Sequence, residues 1–102
     1  MKVKDAKAKF RQTKEWKEFR IKIAEKQDKK DIITGKPLRE CYNCHHLDMS
    51  AENYDKLTEE NFIAINKQTH EALHFLFRYY QKDPTILDRL KTVLDRMNEL
   101  NK

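Results

Sequence analysis

A chain of 102 residues fills one domain of ordinary size at most, which leaves no room for a separate substrate or regulatory module. Charged residues make up 38% of it and hydrophobic residues another 38%, so a small core under a densely charged surface is expected. The formal charge of +5 leans weakly toward a polyanionic partner; no stretch approaches the roughly 18 consecutive apolar residues of a membrane span, and the lysine-rich start has no apolar run behind it, so a soluble, cytoplasmic protein without a signal peptide is expected.

From Asp5 to about Lys26, Phe10, Trp16, Phe19, Ile23 and Ala24 recur at near-helical spacing among lysines and arginines, which predicts one amphipathic helix with a basic outer face. On charge alone that face reads equally as a solvated surface or as an arm that tracks phosphates. Asp31 to Leu38 carries the single glycine, Gly35, and one of two prolines, Pro37, and reads as a turn between short extended pieces. Tyr42 to Leu47 is a short strand candidate. Asp48 to Glu60 is polar and reads as a loop with Ser50 and Asn53 as local caps; Asn61 to Asn66 is a second strand, expected to pair antiparallel with the first. A helix is predicted from Lys67 or Thr69 to about Gln81 on the stripe Leu73, Leu76, Phe77 and Tyr80. Asp83-Pro84 then signals a new helix start, with Asp83 as cap and Pro84 in the first helical position. Leu87, Leu90, Leu94, Met97 and Leu100 give the last helix an apolar seam, expected to pack on another helix of the same chain. The fold class is therefore α+β and mostly helical: a basic helical arm over 1–30, a core of two strands and a helix over 31–81, and a carboxy-terminal helix over 82–102.

The four histidines of the chain, His45, His46, His70 and His74, all fall within thirty positions. Side chains of adjacent strand residues point to opposite faces, so His45 and His46 can divide two tasks, one ligating a cation and the other accepting a proton from water near neutral pH. His70 and His74, one helical turn apart, lie above one another on one face and complete a set of three imidazoles with an open coordination position. Any one of these histidines alone is better read as ordinary polar surface, and Asn61 alone as a turn residue; the concentration of all four carries the reading.

The ordered run His45-His46, then Asn61-Phe-Ile-Ala-Ile-Asn-Lys-Gln-Thr-His70, then His74 resembles the HNH endonuclease family with its ββα-metal fold. The likeness covers about Asp31 to Phe77, and Asp31-Ile-Ile-Thr-Gly-Lys-Pro-Leu38 is similar to the lead-in of small phage-encoded members. The three-histidine set is similar to the nuclease domains of colicins. The resemblance implies His45, His70 and His74 as metal ligands, His46 as general base, and Asn61 as the residue that pins the loop between the strands. It also implies a metal-dependent hydrolase that nicks DNA to leave 5′-phosphate and 3′-hydroxyl ends, working in the cytoplasm of a bacterial host if phage-encoded. Lys14, Lys17 and Arg20 on the basic helix, with Lys36, Lys67 and Arg78 nearer the histidines, are the candidates for backbone contacts with DNA, each otherwise an ordinary solvated charge. Three imidazoles suit Zn²⁺, Ni²⁺ or Co²⁺ by softness, whereas the family implies Mg²⁺ or Mn²⁺ as well. Monomer and homodimer both remain open.

The chain departs from larger members in lacking their two Cys-x-x-Cys pairs. Its one pair, Cys41 and Cys44, supports a rival reading with His70 and His74 as a structural zinc site in a non-catalytic DNA-binding module. Twenty-five residues separate Cys44 from His70, against about 12 in a Cys2His2 finger, and that rival leaves His45 and His46 without a role.

Overall fold

The structure is a computed structural model that describes residues 3–48 and 55–102. It is α+β and mostly helical, in the order α1 (Val3–Phe10), α2 (Lys14–Lys26), β1 (Asn43–His46), a short 3-10 turn (Glu59–Asn61), β2 (Phe62–Ile65), α3 (Lys67–Tyr80) and α4 (Ile86–Leu100). Two compact units divide it, Met1–His70 and Glu71–Lys102, with the division falling inside α3. Among the described residues no helix is long and apolar enough to cross a membrane.

The single amphipathic helix expected over Asp5 to Lys26 is two helices, and Thr13 is the reason. Its backbone is extended, at φ −72° and ψ 151°. Its hydroxyl donates to the Phe10 carbonyl at 2.7 Å and accepts the Trp16 N–H at 3.2 Å, ending one helix and capping the next with one side chain. The break turns the Phe10 ring onto Trp16, centroids 5.9 Å apart.

β1 and β2 pair antiparallel with Asn43 opposite Ile65, Cys44 opposite Ala64, His45 opposite Ile63 and His46 opposite Phe62, the expected partners over a shorter span than predicted. Strand alternation then sorts the side chains. Cys44, His46, Phe62 and Ala64 face α2, where Phe62 meets the Phe19 ring edge-on at 4.9 Å and Trp16 at 5.8 Å, over a core that includes Ile23. Asn43, His45, Ile63 and Ile65 take the other face. The Arg20 guanidinium donates to the Tyr42 carbonyl and lies 3.9 Å over the Tyr42 ring, while the Tyr42 hydroxyl donates back to the Arg20 carbonyl at 3.0 Å, which clasps α2 to the start of β1.

Two polar side chains finish what a two-stranded sheet leaves open. The carboxamide of Gln27 accepts the Ala64 N–H and donates to the Ala64 carbonyl, both at 2.8 Å, so it stands where a third strand would pair with β2. Asp31 is fully buried. It takes the N–H groups of Ile33 at 2.8 Å and Thr34 at 3.0 Å on one oxygen and that of Asn66 at 2.9 Å on the other. The turn that follows needs the left-handed conformation of Gly35, at φ 73°, to return its N–H to the Asp31 carbonyl.

In the second unit no residue is buried. Asp83 accepts the Thr85 N–H at 3.1 Å, but it does not cap α4: regular helix begins only at Ile86 with Thr85 in the cap position, so Pro84 lies ahead of the helix and not in its first position. The apolar seam of α4 departs from expectation: Leu87, Leu94, Met97 and Leu100 are exposed and only Leu90 is partly covered, so the seam is not buried as predicted. The proposed caps Ser50 and Asn53 lie outside the described residues.

Candidate metal centre

The metal-ligating atoms of His45, His70 and His74 lie within 4.8 Å of one another. β1 supplies His45 from the sheet face turned away from α2. α3 supplies His70 in its first turns and His74 one turn later, so helix geometry alone fixes the second relative to the first. The His45 and His70 rings meet edge-on at 4.9 Å. Two nitrogens bound to one ion at about 2.0–2.1 Å each are separated by no more than about 4 Å, so these three donors are already on the scale of a coordination sphere, and neutral imidazole is a ligand for divalent ions. All three are partly buried.

The start of α3 is anchored from several directions. Asp31 holds the Asn66 N–H, and the Asn66 side chain accepts the Arg39 N–H at 2.7 Å and donates to the Pro37 carbonyl at 3.1 Å. Asn66 in turn accepts the His70 N–H at 2.9 Å. Burial by itself would push the Asp31 carboxyl up; the hydrogen bonds from Asn66, Thr69, Thr34 and Ile33 outweigh it and hold the group below its usual value of 3.8. A carboxylate at this place also meets the positive end of the helix.

His46 lies on the opposite sheet face from the triad, its ring stacked on Phe62 at 4.3 Å and 5°. Burial lowers its pKa below 6.5; Lys7 of α1 acts in the same direction and Asp48 against it. The imidazole is thus held in the neutral form that accepts a proton at neutral pH. Asn61 contributes through its backbone: its carbonyl accepts the Leu47 N–H at 2.7 Å and extends the strand ladder one step past His46. The loop that its side chain was expected to pin includes residues 49–54, outside the described set.

The rival zinc site is not assembled. Among the described residues the metal-compatible group contains neither cysteine. Cys41 is exposed, whereas Cys44 lies on the α2 face of the sheet, packed against the core and turned away from the histidine cluster, where burial pushes its thiol up to about 12. Of the expected DNA contacts, Lys14, Lys17, Lys36, Lys67 and Arg78 are exposed, with Lys14 facing Glu18 at 3.7 Å; Arg20 is engaged with Tyr42 inside the fold.

Gln27 and Asn43 do not stand out in the sequence, and Asp31 and Lys7 do so only as part of a turn and of the basic arm. Only Asp31 left a local sign, an aspartate three residues before the Thr34-Gly35 turn. No family model, curated protein or solved structure matches this chain. The two-stranded sheet, the helices and the three-histidine cluster are compatible with a ββα-metal fold, and the three histidines can hold a metal ion.

Proposed function

We propose that the chain is a divalent-metal-dependent DNA endonuclease of the HNH type that hydrolyses phosphodiester bonds with little sequence preference. The observation that carries this reading is the cluster of His45, His70 and His74 with a fourth imidazole, His46, next in the strand and directed to the other face.

In this reading the stacked, neutral His46 takes a proton from the water that attacks phosphorus. When bound, a divalent ion supplies polarisation of a phosphate oxygen and stabilisation of charge on the leaving 3′ oxygen. His45, His70 and His74 would hold it, and exposed Lys14, Lys17, Lys36 and Lys67 would contact the DNA backbone without reading bases. The donor set favours Zn²⁺, Ni²⁺ or Co²⁺ on softness, with Mg²⁺ and Mn²⁺ as the alternatives that the family likeness brings in.

The test is nicking of supercoiled plasmid with each of these ions and with chelator. Chelator is expected to abolish nicking, and His46→Ala to slow it by about 100-fold or more while zinc binding persists. A His46→Ala protein that cuts at the wild-type rate would remove His46 from the mechanism. Absence of nicking with every ion would remove the nuclease reading.

A further inference from the structure

Asn43 occupies the same sheet face as His45, two residues away along β1, and its carboxamide lies 3.1 Å from Nδ1 of His70. This contact joins the strand that carries one ligand to the helix that carries the others, across 27 residues of sequence. A neutral imidazole has one N–H and one lone pair, and whichever nitrogen donates a hydrogen bond leaves the other free for a metal. Histidine ligands are commonly fixed in this way by an oxygen acceptor on the far nitrogen.

We infer that Asn43 is the positioning residue of the metal centre: its carboxamide oxygen accepts Nδ1–H of His70, which fixes the ring and commits Nε2 to the cation. The inference rests on the metal-centre reading of the three histidines. As placed, the amide nitrogen faces Nδ1. The two ends of a carboxamide have almost the same shape, and only the oxygen can serve a ring that coordinates through Nε2. With the nitrogen as donor, Nδ1 would keep its lone pair, spent on Asn43, and the proton would sit on Nε2, which could then not ligate a cation. The choice of amide orientation therefore decides whether His70 can bind at all.

The experiment is zinc titration by calorimetry on the full chain, for wild type, Asn43→Ala and Asn43→Asp, with chemical denaturation in chelator as the folding control. Asn43→Ala is expected to bind zinc about 10–100-fold more weakly with an unchanged denaturation midpoint in chelator. Asn43→Asp has acceptors only, so it is expected to bind at least as tightly as wild type. Long-range proton–nitrogen correlation spectra of the zinc-loaded wild type should show His70 protonated at Nδ1. If Asn43→Asp falls as far as Asn43→Ala, the carboxamide acts as donor and the inference is overturned. Equal affinity of Asn43→Ala and wild type also overturns it, while leaving the three-histidine site intact. No zinc binding by folded wild type overturns the metal centre itself and the role of Asn43 with it.

Discussion

The two units of this chain reach order by opposite means. In Met1–His70 the decisive polar contacts are long-range: Arg20 to Tyr42, Gln27 to Ala64 and Asp31 to Asn66 join points 22, 37 and 35 residues apart. In Glu71–Lys102 the ion pairs are local: Arg89 to Asp83 at 2.7 Å, Lys91 to Asp95 at 2.7 Å and Arg96 to Glu99 at 3.1 Å, all between exposed groups. Local exposed pairs of this kind support a helix by a few tenths of a kcal/mol and place nothing relative to anything else. The long-range contacts set the path of β1 and the start of α3, the elements that bring His45 to His70. The one buried polar side chain among the described residues, Asp31, is spent on anchoring the start of α3.

The sharpest way to break the contrast is Phe62→Ala. Phe62 is buried, touches Phe19 and Trp16, and carries the His46 ring. Its loss is expected to cost about 3–5 kcal/mol by urea denaturation in chelator. A cost below about 1 kcal/mol would mean that the α2 face of the sheet is not the core of the first unit.

Next in size is Asp31→Ala, expected to cost about 1–3 kcal/mol because it strands several backbone N–H groups. Acid gives an independent check. The folded carboxyl titrates below 3.8, so its contribution to stability is fully present above that value and is lost as pH falls through the lower folded value. The stability gap between wild type and Asp31→Asn should therefore narrow on acidification below about pH 4. A gap that stays constant would show that the carboxylate charge is not what the N–H groups need. Gln27→Ala should cost less, about 1–2 kcal/mol, through the exposed edge of β2, and hydrogen exchange at the Ala64 amide should accelerate with it.

The order of elements was legible because each has a local cause. An apolar, isoleucine-rich run between two asparagines marks Phe62–Ile65, the stripe of Leu73, Leu76 and Phe77 marks α3, and Asp83-Pro84 stands just ahead of α4. The separation of α1 from α2 was hidden because the apolar spacing continues through Thr13, and a threonine inside a periodic run signals a cap only once the chain is seen to bend. His45, His70 and His74 could be named from residue type and spacing. Gln27 and Asn43 could not, since a glutamine that imitates a strand and an asparagine that meets a histidine 27 residues on leave no periodicity to read.

The smallest expected effect tests the other half of the contrast. Leu94 lies at the middle of the α4 seam and is 51% exposed. Leu94→Ala deletes apolar surface that is already half in water and replaces leucine with the best helix former, so the cost should be at most about 1 kcal/mol. The same substitution at a packed site costs about 2–5 kcal/mol, a range that does not overlap the expectation. Denaturation at two protein concentrations separates the cases. A small, concentration-independent loss means that α4 stands on its own propensity and local ion pairs. A loss above about 2 kcal/mol would mean that the seam is covered in solution and that the second unit, too, depends on contacts beyond the turn of a helix.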